Sequence, residues 1–171
     1  MTLRAYTASH LCGLMLMSRL QLDMTMVPYK GAAPALTDLQ GGQVDLLCDQ
    51  ITTTLSPIQA NRIQAYGSTT KMRLASLPDL PTLSEQGLED FNINVWHALY
   101  TPKGTKDAVV ARLSESLQSA LADEKFQDSM KKLGAVPVDA TRATSASLEA
   151  HLLGQIETWS PLIQRSAAYL N

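Results

Sequence analysis

No stretch of this 171-residue chain approaches the roughly 18 consecutive apolar residues that a membrane-spanning helix needs. The most apolar segment, Leu11 to Leu22, is interrupted by Gly13, Ser18 and Arg19, which excludes a spanning helix. Cysteine is scarce too. Cys12 and Cys48 are the only two, too few for a disulfide scaffold and without the spacing of a zinc site. They are expected to be two buried free thiols, which leaves the redox compartment open. Neither sign of charge dominates: 14 basic residues face 16 acidic ones for a net charge of -2. No basic stripe therefore points to nucleic acid.

The sequence signatures of catalysis are also missing. There is no Gly-x-Ser-x-Gly elbow, no Gly-x-Gly-x-x-Gly, no phosphate-binding loop and no His-Glu-x-x-His. His10, His97 and His151 stand apart from one another. A hydrolytic set of Cys48, Asp49 and His97 has no supporting spacing. No repeat or low-complexity tract is present.

What remains is the composition of a globular α/β protein, 45% apolar and 18% charged, with room for one domain or two small lobes. The hydrophobic period switches repeatedly between helix-like and strand-like. Ser9 can cap a helix running to about Leu20, and Met24–Val27 then reads as a strand stopped by Pro28. Ser9 and His10 before the apolar run, and Arg19 and Asp23 after it, favour this amphipathic helix over a secretion signal. Gly31-Ala32-Ala33-Pro34 opens a second helix that Gly41-Gly42 closes, before the strand Val44–Cys48. Thr52, Thr53 and Thr54 are cap candidates for a third helix, Leu55–Arg62, and Ile63–Gly67 returns as a strand.

A loop-rich stretch, Ser68–Asp90, leaves room only for a short helix at Leu83–Gln86. Beyond it come a strand at Ile93–Tyr100, helices at Thr105–Ala122 and Glu124–Leu133, and an edge strand at Val136–Val138. The last helix, Ser145–Leu170, is expected to break near Pro161.

Polar residues gather where strands end and helices begin, the place where open α/β sheets bind ligands. Three junctions follow one another: Tyr6–His10, Tyr29–Gly31 and Asp49–Thr53. Free backbone N–H groups and the positive end of the helix dipole make such places receptive to carboxylates. The plain alternative at each is structural: Ser9 and Thr52 as caps, Lys30 solvated, and Asp49 pinning a turn.

These junctions lie in segments that resemble the Bug receptors of tripartite tricarboxylate transporters. The segments are Ser9-His10-Leu11, Val27-Pro28-Tyr29-Lys30-Gly31 running on to Leu39, Gly41-Gly42-Gln43-Val44-Asp45, Leu77-Pro78-Asp79-Leu80-Pro81 through Leu88, and Trp96-His97-Ala98-Leu99-Tyr100 through Thr105. The resemblance continues to the C-terminal helix around Trp159. It departs at Ala5-Tyr6-Thr7, where the family tends to carry glycines, and at Thr105-Lys106, where it usually has Thr-Pro.

The resemblance implies an α/β fold of the two-lobed, type II periplasmic-binding-protein kind, N-terminally incomplete. Residues 1–95 would form the second lobe, incomplete at its start, and 96–171 the crossover and the C-terminal helical part of the first. The implied role is an extracytoplasmic, periplasmic receptor that captures a small carboxylate and delivers it to membrane permease subunits. No chemistry, cofactor or metal is expected. Thr7, Ser9 and His10 would present the first helix to the ligand, Tyr29, Lys30 and Gly31 the second, and Asp49, Gln50 and Thr52 the third, with Trp96 as a lid or a packed hinge. Two other readings compete: the effector-sensing domain of a transcription regulator, and a non-functional truncated receptor. A face of Val109, Leu113, Leu117 and Leu121 left open by an absent lobe would favour self-association.

Overall fold

The computed structural model describes residues 7–166, without the side chains of Leu162, Arg165 and Ser166. The chain divides into two compact units, Met1–Val95 and Trp96–Asn171. The first holds α1 (Ala8–Leu20), α2 (Ala32–Gln40) and α3 (Ile51–Gln59). The second holds α4 (Asp107–Ala122), α5 (Glu124–Lys132), a 3-10 turn at Ala140–Arg142 and α6 (Ser145–Ser166).

Helix ends follow local chemistry. α2, α3 and α5 each close with paired backbone bonds of the Schellman type, for instance Gln43 N–H to the Asp38 carbonyl and Gly42 N–H to that of Leu39. The left-handed residue that this closure demands is Gly42, Asn61 or Gly134. At α5 the start is equally local: the Asp123 carboxylate accepts from the Phe126 amide at 2.8 Å. α6 runs through Pro161 without a break, because roughly four turns precede that residue and one lost intrahelical bond does not end them. The end of the predicted helix, residues 167–170, lies outside the described region.

The expected strands behave differently. Met24–Val27, Val44–Cys48, Ile63–Gly67, Ile93–Tyr100 and Val136–Val138 form no ladder, and the single pairing among the described residues is an isolated parallel bridge between Ser68 and Thr82. Parallel strands persist where both faces are covered by apolar partners. Here Val27, Leu46, Tyr66, Leu99 and Val136 are exposed, so the cover is absent.

In the first unit the core centres on Phe91, 1% exposed, with Ile93, Leu55, Ala35, Leu14 and Cys12 also buried. Thr69 holds Ile93 from both sides: its carbonyl accepts the Ile93 amide at 3.0 Å and its hydroxyl donates to the Ile93 carbonyl at 2.7 Å. The expected short helix at Leu83–Gln86 is instead a turn ended by Gly87 at φ 97°. Thr82 and Glu85 nonetheless form a reciprocal capping box: Glu85 accepts from the Thr82 amide at 2.7 Å and donates its own amide to the Thr82 hydroxyl at 3.1 Å. The Thr82 amide, followed by the Arg73 guanidinium, holds the Glu85 carboxyl below the usual range.

The cysteines are not free. Cys12 in α1 and Cys48 are joined in a disulfide with a Cα–Cα distance of 6.2 Å. Two residues that are far apart in sequence lie side by side in the fold, which spacing alone does not disclose. Closing a loop over a separation of 36 residues stabilises the folded chain by about 4 kcal/mol in the chain-entropy account.

In the second unit α4 packs on α5 and on the 3-10 turn. Gln118 ties α4 to the Ala143 carbonyl at 3.1 Å, and Gln127 reaches back to that of Leu121 at 2.8 Å. Leu121 is consequently buried, while Val109 and Leu113 are exposed. The expected open face is therefore smaller than four residues.

Candidate functional site

Three helix starts in the first unit carry the candidate residues. At α1 the cap is Thr7, whose Oγ1 accepts from the His10 amide at 3.3 Å. Ser9 was the expected cap but stands inside the first turn, half-buried. Capping needs the extended backbone that precedes a helix, and Thr7 has it, with φ -69° and ψ 159°. Ser9 thereby keeps its hydroxyl for other partners.

At α2 the cap is Gly31, which offers no side-chain acceptor. Lys30 beside it is exposed, and Tyr29 is half-buried. The Tyr29 hydroxyl donates to Asp38 at 2.8 Å, and that bond to a carboxylate, with burial and the charge itself, raises the phenol above its ordinary value. Its proton is thus committed to α2, so towards a ligand Tyr29 offers an acceptor lone pair and a ring face.

At α3 the expected threonine caps give way to Asp49 and Gln50. Gln50 takes the cap position with extended backbone, and its carbonyl accepts from the amides of Thr53 and Thr54 at 3.1 and 3.2 Å. Both threonine hydroxyls donate to the same carbonyl, at 2.8 and 3.1 Å. Thr52 is exposed in the first turn. Oδ1 of Asp49 accepts from the Gln50 amide at 2.8 Å, whereas its Oδ2 is buried without a hydrogen-bond partner. A buried carboxylate oxygen left unpaired is costly unless a donor reaches it.

α1 connects these starts. Cys12 is bonded to Cys48, the residue before Asp49. Gly13, its neighbour, is overlain by Met26: a Cβ at Gly13 would lie 2.9 Å from the Met26 methyl and 3.2 Å from its sulfur. The lead-in to the second start and the lead-in to the third therefore both rest on the middle of α1. Sequence reasoning missed these two contacts and the Asp38 partner of Tyr29. An even cysteine count in a chain resembling exported receptors was the one available signal for the disulfide.

Trp96 belongs to the other unit. It is half-buried and packs edge-to-face on His151, with ring centroids 4.8 Å apart. The imagined hydrolytic set fails, since the Cys48 sulfur is consumed by the disulfide. A cavity of about 450 Å³ lies at the opposite end of α3, lined by Ile58, Gln59, Asn61 and the Ser76–Leu80 loop. That end carries the negative pole of the helix dipole and does not suit an anion.

Helices that alternate with extended segments, as α1 to α3 do, are the local pattern of an α/β chain of the periplasmic-binding-protein class. Residues 3–167 match the tripartite tricarboxylate transporter family receptor, and the chain belongs to that family. A UPF0065 protein from the TAR-I ttuE-ttuC' intergenic region of Agrobacterium vitis is 44% identical over 92% of this chain and 46% of its own length. The solved periplasmic binding protein BugD is 45% identical with a TM-score of 0.86, over 94% of this chain and 53% of its own. MatC from Rhodopseudomonas palustris, solved with bound malate, is 31% identical with a TM-score of 0.85, over 91% of this chain and 53% of its own. The chain spans about half the length of these proteins. No helix among the described residues is long and apolar enough to cross a membrane.

Proposed function

We propose that this chain forms the ligand-binding part of a periplasmic receptor that captures a small carboxylate and hands it to the permease of a tripartite tricarboxylate transporter, without altering it chemically. The observation that carries this reading is that the segments leading into the second and third helix starts both rest on α1, through Met26 on Gly13 and through the Cys12–Cys48 bond. Unpaired first-turn amides suit a carboxylate, and the unpartnered Oδ2 of Asp49 suits a hydroxyl or ammonium donor on the same ligand. MatC with its bound malate supports the choice of ligand class. The disulfide fits an oxidising compartment such as the periplasm. Residues 1–95 correspond in this reading to the second lobe and 96–171 to the crossover and completion of the first, with Trp96 at the crossover. Neither metal nor organic cofactor takes part.

Titration of the labelled chain with malate should move the amide resonances of Ser9, Gly31 and Thr52 together and saturably. Shifts with sugars or cations but with no carboxylate would refute the reading.

Val109 and Leu113, four residues apart on α4, are both exposed, and such i, i+4 pairs share one helix face. In this reading that face mates with a second copy of the chain. Light scattering should give an average mass above one chain that falls on dilution, and Val109→Ser/Leu113→Ser should abolish the rise. A concentration-independent single-chain mass would refute it.

A further inference from the structure

We infer that Cys12 and Cys48 are positioning residues for the ligand site, their bond setting the spacing between the first turn of α1 and the Asp49–Gln50 corner. This rests on the function proposed above and concerns what holds that site in shape. Cys12 is 3% exposed in α1, and Ser9 lies three residues earlier, on the same helix face. Cys48 directly precedes Asp49, whose Oδ1 caps Gln50 and whose Oδ2 is buried without a partner. A strand end is ordinarily fixed by its ladder, yet among the described residues no backbone hydrogen bond ties 44–49 to another segment. The crosslink supplies the fixed point that the ladder would have given.

The bond thus joins the residue one turn after Ser9 to the residue directly before Asp49. Cutting it removes the covalent tie between the corner and α1. Reduction by a phosphine breaks the S–S bond, takes oxygen from water into the phosphine oxide and leaves two thiols.

The test compares the oxidised chain, the phosphine-reduced chain and Cys12→Ala/Cys48→Ala, with malate as the probe. The measurements are malate affinity from resonance shifts and hydrogen exchange of the Thr54 and Leu55 amides in α3. The Ile93 amide, bonded to the Thr69 carbonyl, is the control within the same unit. Loss of the bond is expected to weaken malate roughly tenfold or more and to speed exchange at Thr54 and Leu55 by a similar factor, with Ile93 unchanged. Equal acceleration at Ile93 would overturn the inference, making the bond a general staple of the unit, and so would unchanged malate affinity in a reduced chain that stays folded. If the oxidised chain binds none of the carboxylates tested, the proposed function falls, whereas exchange at Thr54 and Leu55 still decides whether the bond holds the corner.

Discussion

Phe91→Ala is expected to cost the first unit about 3 to 5 kcal/mol, the range for removing a large aromatic from a packed interior. Phe91 is the largest fully buried side chain of the described residues, at 1% exposed. Two residues on, Ile93 anchors the segment to Thr69 through both its amide and its carbonyl. Truncation opens a void beneath a segment held by two hydrogen bonds, so little can collapse into it. Trp96 and Trp159, the only tryptophans, both lie in the other unit, and their fluorescence would report on the wrong half. Exchange of the Ile93 amide in increasing urea is the suitable readout. A loss below about 1 kcal/mol, the level of an ordinary surface substitution, would show that Phe91 does not organise this core.

Substitution of Asp49 should have the largest effect on binding. Removing a buried hydrogen-bond partner costs about 1 to 3 kcal/mol, and Asp49→Ala removes both the acceptor for the Gln50 amide and the unpartnered Oδ2. Malate, which carries a hydroxyl, should weaken by that amount. Succinate has no such donor and should lose less. Asp49→Asn separates the two oxygens: a retained Oδ1 still caps Gln50, while an amide in place of Oδ2 can no longer accept a proton. Calorimetry on both variants decides the matter. Equal losses for malate and succinate would assign Asp49 to the turn alone.

Much of this was legible along the chain, and the reason is locality. Gly42 and Gly134 end their helices because a left-handed residue is needed within the same few positions, so the stops at Gly41-Gly42 and after Leu133 could be read directly. The starts were less legible. Thr7 rather than Ser9 caps α1, and Asp49 with Gln50 rather than Thr52 leads into α3. Several neighbouring side chains were chemically able to cap, and only the backbone path selected among them.

The strands were least legible. Val44–Cys48 has the apolar composition of a strand, but a strand exists only with a partner, and the exposed Leu46 shows that cover is lacking. The Asp38 partner of Tyr29 and the Met26 cover of Gly13 join separate segments, and no period in the sequence announces them. By itself the sequence determined where α1, α2 and α5 stop and the presence of three polar helix starts, all set by interactions spanning about one turn. Tertiary structure alone decided that Cys12 and Cys48 are bonded, that Asp49 keeps one buried oxygen unpaired, and that the lead-ins to the other two starts rest on α1. Those outcomes depend on which distant segments meet, and that is fixed by packing rather than by local propensity.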